Sequence, residues 1–312
     1  MLFTFICIMK QYLLFFLLLL LPFSVDAQNV ESVQDSPAST QENADSVLNV
    51  VGWFCKGDTL EYKLSSTVAE IVGNDTTITE SNSENFRVCV TDSTKKGYVM
   101  EYMLTDVDMR DTTTLKQQIQ LQSVRLGMNQ KVVFTTSELG AFQEIKNIKE
   151  IYNRSLRNQQ QVVGDLFERM PSRFGDITRD DLLKSMKSKL DELFSSQENL
   201  AGQYVGLRLL FSNHGKAFAL GEHEEDNGTS HAFVSVSKGK IDGEEYSTDD
   251  DYQVYIKLTE NTAEASSTQY YFDYSYFSDG WPSEVVSTVE EHQGGKQIIT
   301  QIVITWLTKS WK

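Results

Sequence analysis

The sequence predicts an α+β protein in which a large curved antiparallel β-sheet, half-barrel-like and built from two similar meanders, wraps a central pair of amphipathic helices. Three observations support this class. Strand-like alternation of apolar and polar residues occupies both halves of the chain, apolar residues recur every three or four positions between them, and short motifs of the first half return in the second. Because the order is strands, helices, strands, the helices do not alternate with the strands as they would in an α/β fold.

The chain begins with a stretch that is typical of a secretory signal peptide. An unbroken run of ten apolar residues precedes the small-residue site Val25-Asp26-Ala27, and a transmembrane helix would need about 20 such residues. We therefore predict that cleavage before Gln28 removes residues 1–27. Residues 28–48 are polar and lack periodicity, which predicts a disordered linker. Residues 49–312 then form a single domain, exported to the periplasm or the cell surface, with no transmembrane segment in the mature chain.

Residues 49–143 are predicted to form the first meander. In TLEYKLSSTV, residues 59–68, Leu60, Tyr62 and Leu64 alternate with polar residues, as a half-buried strand requires. Three further strands follow, separated by turn-rich segments: residues 85–90, 97–104 and 131–136.

Residues 144–200 are predicted to hold the two helices. The first covers residues 144–170 and ends before Pro171. The second begins at Thr178, whose TRDD sequence resembles a capping box. Because a surface helix must bury an apolar stripe, we interpret both stripes as packing faces and not as ligand sites.

Residues 201–312 are predicted to form the second meander, in which a faint echo of the first is found. The sequence FCKGD at residues 54–58 parallels FALGE at residues 218–222, and the turn at Gly140 parallels the turn at Gly280. The strands of this meander are residues 231–236, 252–258, 268–277, 284–289 and 297–306.

Composition and motifs exclude several functions. The formal net charge is −16, whereas binding to nucleic acid requires a basic face. The sequence contains no GxSxG elbow, P-loop, GxGxxG or HExxH motif. We therefore expect a protein that is not an enzyme and uses no cofactor.

An aromatic strand is the first candidate for ligand binding. Tyr270, Phe272, Tyr274 and Tyr276 share one face of the predicted strand, with Tyr271 on the other face. Aromatic rows can bind sugar or lipid, but aromatic residues are also ordinary strand formers. The choice between these alternatives depends on whether that face lines an open concavity.

The stretch GEHEEDNGTSH, residues 221–231, is the second candidate. A hairpin with a three-residue turn would set Leu220 opposite Val234 and give a clean apolar face. In that register His223 faces His231 with Glu225 beside them, ligands that suit zinc or another transition metal. The alternative is a solvated hairpin without metal.

Cysteines and Asp-Ser/Thr triplets suggest two modifications. Cys55 and Cys89 each lie in an apolar, strand-like stretch. Export permits a disulfide between them, and two buried free thiols are the alternative. The triplets resemble the O-glycosylation acceptor sites of certain Gram-negative bacteria, although Asp followed by Ser or Thr is also favoured in turns. The candidate acceptors are Ser46, Thr59, Thr76, Ser93 and Thr112.

The whole pattern resembles uncharacterised exported β-rich proteins of Gram-negative bacteria. The residues that carry this resemblance are FCKGDTLEYKL, KVVFTTSELGAFQEI and YFSDGW. More distantly, the pattern is similar to the half-barrels of periplasmic lipoprotein carriers, in which a sheet wraps helices around an apolar cavity. The resemblance implies a non-enzymatic binding or carrier module for a lipid or another apolar or amphiphilic ligand. The alternatives are a surface-exposed structural or adhesive protein, glycosylated at the triplets, and third a hydrolase.

Overall fold

The computed structural model describes residues 47–109, 115–226, 230–241, 247–261, 267–293 and 295–310. The predicted signal peptide and most of the predicted linker lie outside these ranges. None of the helices in the described part of the chain has the length and apolar character needed to cross a membrane.

An antiparallel sheet of eleven strands forms most of the molecule, in the order β6-β5-β4-β3-β2-β13-β12-β11-β10-β9-β8. The first five of its strands in the chain are β2 (Thr59–Val72), β3 (Asp75–Thr94), β4 (Gly97–Met109), β5 (Lys131–Thr136) and β6 (Phe142–Ile145). The other six are β8 (Gly221–Asp226), β9 (Ser230–Lys238), β10 (Tyr252–Asn261), β11 (Ser267–Tyr276), β12 (Pro282–Gln293) and β13 (Lys296–Ser310).

The two meanders join where β2 pairs with β13. Each meander is a run of antiparallel neighbours, so the paired strands continue one sheet from the first half of the chain into the second. The sheet is curved and does not close on itself, and the fold also contains a few helices. The predicted fold class, α+β with a large curved antiparallel sheet, is therefore confirmed.

A separate two-stranded sheet lies at the start of the described chain. It pairs β1 (Val47–Asn49) with β7 (Ala217–Ala219), setting Leu48 opposite Phe218. Val47 and Leu48, which the prediction placed in the disordered linker, therefore belong to a strand.

The described residues contain five α-helices, which are α1 (Leu115–Gly127), α2 (Ile148–Arg169), α3 (Arg179–Leu193), α4 (Gln197–Gly202) and α5 (Val205–Phe211). The predicted start of α3 is confirmed, because the Thr178 hydroxyl accepts a hydrogen bond of 3.1 Å from the Asp181 N–H. The predicted start of α2 is wrong by four residues. Asn147 instead ties the chain to β5 by accepting a 2.9 Å hydrogen bond from the Val133 N–H, and Ile145 belongs to β6.

Helices α1, α2 and α3 share a hydrophobic cluster. Val162 and Leu166 of α2 pack with Phe174, which follows a 3₁₀ turn at Pro171–Arg173. Partly buried residues of all three helices surround these side chains: Ile119, Leu126, Phe167, Met170 and Leu182. The apolar stripe of α2 thus contributes to packing. Helix α1 was absent from the prediction because its sequence, LKQQIQLQSVRLG, is mostly polar.

Candidate functional site

The inner face of the sheet, defined as the face that α5 packs against, carries the candidate site. A Cβ atom at Gly206 of α5 would lie 3.3 Å from the Phe86 ring and 3.5 Å from Leu64 Cδ1. Such a close approach of helix and sheet leaves no room for a ligand between them. Leu207, Leu209 and Leu210 of α5 are fully buried.

The inner face has a packed end, which we define by the ring cluster of Phe54, Phe211, His214, Tyr276 and Trp281. The Trp281 ring is fully buried and lies 4.3 Å from the Phe54 ring and 6.1 Å from the Phe211 ring, measured between centroids. The His214 ring lies 5.9 Å from the Tyr276 ring. These interlocking aromatic contacts make this end a core and not a cavity.

Buried polar groups of the packed end are held neutral. His214 Nε2 donates a 2.9 Å hydrogen bond to the Gly280 carbonyl. Burial lowers the pKa of His214 to about 4, while the hydrogen bond to Gly280 acts in the opposite direction. Burial also raises the pKa of Tyr274 to about 12, with the Ser212 hydroxyl acting in the opposite direction. Both groups are therefore uncharged at neutral pH.

The same face continues beyond the packed end to a rim end, which we define by two apolar rows and a row of carboxylates. The first row, in strand order from β9 to β2, is Val234, Ile256, Phe272, Ser287, Ile302 and Ser66. The second row is Ala232, Leu258, Tyr270, Val289, Thr300 and Val68. Val234, Ile256, Phe272 and Val68 remain half-buried and leave apolar surface accessible to solvent. The buried members of the two rows are Ala232, Leu258, Tyr270, Ser287, Val289 and Ile302.

Carboxylates follow the apolar rows on the same face. Glu260 of β10 and Glu291 of β12 both pair with Thr268 of β11, one on each side. Burial raises the pKa of Glu260. Burial also raises the pKa of Tyr270, and the charges of Glu260 and Glu291 raise it further. Further along the face, Glu70 of β2 is paired with Lys296 at 2.8 Å.

The four residues of the predicted aromatic row share one face of β11, as predicted. They belong to two different ends of that face. Tyr274 and Tyr276 belong to the packed end, with Tyr274 Oη 3.0 Å from Ser212 Oγ. Tyr270 and Phe272 belong to the rim end. Tyr270, Tyr274 and Tyr276 are buried, and of the four residues only Phe272 keeps accessible surface. Ligand binding by this row stays a prediction.

The predicted register of the β8–β9 hairpin is wrong. His223 lies opposite Val234 and Glu225 opposite Ala232, whereas His231 lies opposite Asp226. The observed pairing is shifted by three residues from the predicted one, and an odd shift moves a side chain to the other face. His223 and Glu225 thus share the inner face, and His231 lies on the outer face.

The predicted register failed because the predicted strand is interrupted before β8. The predicted register assumed that residues 218–226 form one strand, but Phe218 pairs with Leu48 of β1 and Gly221 has a φ of +93°. The predicted metal set of His223, Glu225 and His231 is therefore not assembled. No group of three metal-ligating side chains occurs in the part of the chain that the structure describes.

Cys55 and Cys89 are free thiols in the structure, Cys55 exposed and Cys89 half-buried, so neither the predicted disulfide nor a pair of buried thiols is found. The prediction placed both cysteines in strands. Cys55 instead lies in the irregular segment before β2, where its N–H donates a 2.7 Å hydrogen bond to Asp58. Cys89 lies within β3, opposite Thr59 of β2.

The three predicted glycosylation acceptors that the structure describes lie near strand ends. Thr76 and Ser93 are exposed, whereas Thr59 is half-buried and its hydroxyl donates a 3.3 Å hydrogen bond to the Gly57 carbonyl. Ser46 and Thr112 lie outside the described residues. Glycosylation stays a prediction.

Sequence reasoning missed the rim carboxylates, although a signal for Glu260 was present. Val254, Ile256 and Leu258 alternate along β10, and Glu260 is the next residue with the same parity. A period-two pattern that ends in a charge predicts where the apolar face meets solvent. Nothing in the sequence brings Glu260 near Glu291, because that proximity follows from strand order.

No family model matches the chain, and no curated protein matches it. Three solved structures show a distant likeness. Lipovitellin, in a structure describing its lipid–protein interactions, is 10% identical over 82% of this chain and 26% of its own, with a TM-score of 0.41. The attachment invasion locus protein Ail of Yersinia pestis is 4% identical over 81% of this chain and 99% of its own, with a TM-score of 0.16.

The third is DynF from the dynemicin biosynthesis pathway of Micromonospora chersina. It is 7% identical over 87% of this chain and 92% of its own, with a TM-score of 0.19. The chain spans about a quarter of the lipovitellin chain that it matches. At this level of similarity none of the three supports an inference about function.

Proposed function

We propose that the protein is a non-enzymatic binding or carrier module for an apolar or amphiphilic ligand. One observation carries this proposal: the half-buried apolar row of Val234, Ile256 and Phe272 on the inner face, beyond the region that α5 covers. An accessible apolar surface inside a curved sheet is typical of a ligand site.

The half-buried part of the first row suits a compact apolar group. Val234, Ile256 and Phe272 lie on three neighbouring strands, β9 to β11, which is two strand spacings or about 10 Å. The polar groups Glu260, Thr268 and Glu291 follow on the same face, so a ligand with an apolar body and a polar end matches this surface better than a purely apolar one.

Native mass spectrometry of gently extracted protein tests the proposal. We expect a species heavier than the bare mature chain that loses one apolar or amphiphilic molecule on collisional activation. Protein that is homogeneous at the bare mass, and that also fails to take up added alkyl ligands, would count against a binding function.

Export is part of the proposal, supported by the N-terminal apolar run and the site at Val25-Asp26-Ala27. N-terminal sequencing of protein from the native cell should begin at Gln28. Cell fractionation separates the proposed carrier, expected in the periplasm, from the alternative of a surface-exposed structural or adhesive protein.

A further inference from the structure

The open sheet has two edge strands, β6 and β8, and they end it in different ways. At the β6 edge the Gln197 side-chain amide of α4 donates a 2.9 Å hydrogen bond to the Ile145 carbonyl. The same amide accepts a 3.0 Å hydrogen bond from the Ile145 N–H. A side chain that bonds both backbone groups takes the place of a neighbouring strand. At Ile145 the β6 edge is thus occupied by the protein's own chain.

The β8 edge presents its backbone to solvent. All six residues of β8, Gly221–Asp226, are exposed. Apart from the ladder to β9, no hydrogen bond between described residues reaches the backbone of residues 222–225. Every second residue of an antiparallel edge strand turns its N–H and C=O groups away from its neighbour, and these groups are a template for a further strand. The edge therefore offers room for an extended segment about 20 Å long.

The side chains of β8 determine which charge such a segment should carry. Glu222 and Glu224 lie on the outer face and Glu225 lies on the inner face, and β8 contains no lysine or arginine. Opposed residues of neighbouring strands have Cβ atoms about 5 Å apart, so opposite charges there are favourable and like charges are unfavourable. A strand that bears lysine or arginine therefore complements β8 on both faces.

A second copy of this chain is a poor partner for the same edge. Antiparallel pairing of two β8 strands along their whole length would set Glu222 of each copy opposite Glu225 of the other. The formal net charge of −16 on each chain adds a general repulsion between copies. The charges of β8 thus disfavour self-pairing and favour a basic partner.

We infer that β8 is a docking edge, which accepts an extended segment of another protein, rich in lysine or arginine, by strand addition. Backbone hydrogen bonds to the edge provide the affinity, and the glutamates of β8 provide the preference for a basic sequence. The docking edge is distinct from the half-buried apolar row of the proposed ligand site, which lies on β9, β10 and β11.

Isothermal titration calorimetry with three eight-residue peptides tests the docking edge. The peptide TKVKTKVK combines strand-forming residues with four lysines. The peptide TKPKPKPK keeps the lysines but pairs poorly as a strand, because proline lacks the N–H that would donate to β8. The peptide TEVETEVE replaces the lysines with glutamates. Wild-type protein is expected to bind TKVKTKVK about tenfold more tightly than TKPKPKPK and to show no binding of TEVETEVE.

Two measurements locate the bound peptide. Hydrogen exchange of the backbone amides in residues 221–226 should become slower when TKVKTKVK binds. The variant Glu222→Gln/Glu224→Gln should lose about tenfold in affinity for this peptide. A matched control, Glu138→Gln/Glu168→Gln, removes the same charge from exposed residues outside β8 and should bind like the wild type. Thermal unfolding verifies that both variants are folded before binding is compared.

Each contrary result overturns the docking edge in a different way. Equal affinity for TKVKTKVK and TKPKPKPK would show a general attraction of cations to an acidic protein. Binding without slower exchange in residues 221–226, or an equal loss of affinity in the control variant, would place the peptide elsewhere. If TKVKTKVK does not bind, the charges of β8 serve only to keep other strands away from this edge.

Discussion

The two ends of β11 differ although their sequences follow the same alternation. At one end Tyr274 and Tyr276 are buried and contact Ser212 and His214, which follow α5. At the other end Phe272 stays half-buried, although its neighbour Tyr270 on the same face is buried. The difference teaches that alternation determines which face a side chain joins, whereas the covering elements determine how much of that face is buried.

The electrostatics of the two ends differ in the same way. At the packed end His214 is neutral, and its Nε2–H is satisfied by the Gly280 carbonyl. At the rim end burial raises the pKa of Glu260, with no cation beside it among the described side chains. The His214 N–H is thus satisfied within the fold, whereas Glu260 has no compensating cation among the described side chains.

Removing a large ring should have a much larger effect at the packed end. Trp281→Ala is expected to lower the free energy of unfolding by about 3–5 kcal/mol, because the fully buried ring leaves a cavity. Phe272→Ala should lower it by only about 1–2 kcal/mol, because the ring is only partly buried. Urea denaturation measures both, and equal losses would contradict the division of the inner face.

Acid should destabilise the packed end through His214. Its pKa falls from 6.5 to about 4 on folding, so between these pH values the unfolded chain binds a proton that the folded chain does not. The stability contributed by neutral His214 is therefore complete above about pH 6.5 and decreases as the pH falls toward 4. The total loss is about 3 kcal/mol.

The matched variant for this pH effect is His214→Gln, which keeps a hydrogen-bond donor but does not titrate. The difference in unfolding free energy between wild type and His214→Gln should shrink by about 3 kcal/mol from pH 7 to pH 4. A difference that is constant with pH would show that His214 is accessible to protons in the folded protein.

Two serine hydroxyls give the smallest expected effects, and their signs differ. Ser212→Ala should lower stability by about 1 kcal/mol, because it removes the hydroxyl 3.0 Å from Tyr274 Oη. Ser287→Ala should raise it by about 1 kcal/mol in the absence of ligand, because a buried hydroxyl without a described partner is removed. Thermal unfolding in parallel samples measures both, and a loss in Ser287→Ala would show that its hydroxyl is already satisfied.

Most of the strands could be predicted from the sequence. Lys131–Thr136 matches its predicted range, and the other predicted strands each lie within an observed strand or within one residue of it. Apolar and polar residues alternate in these segments because one face of each strand is buried. Helix α5 was not predicted, because VGLRLLF is apolar all around and a buried helix of seven residues has no periodicity to detect.

The candidate site was predictable only in part. Tyr270 and Phe272 share a face because they are two residues apart on one strand, and the sequence alone shows this. The register of His223 depends on where β7 ends and β8 begins, and the pairing of β1 with β7 decides that. Contacts between distant segments therefore limit what sequence alone can establish about the site.

The most direct test of a ligand site at the rim end is titration with the neutral fluorescent probe N-phenyl-1-naphthylamine. Phe272 and Tyr271 are adjacent aromatic residues of β11, both half-buried, on the inner and outer face. Phe272→Glu should abolish the fluorescence increase seen with wild-type protein, and Tyr271→Glu should preserve it. Equal binding by both variants, or none by the folded wild type, would contradict a ligand site on the inner face.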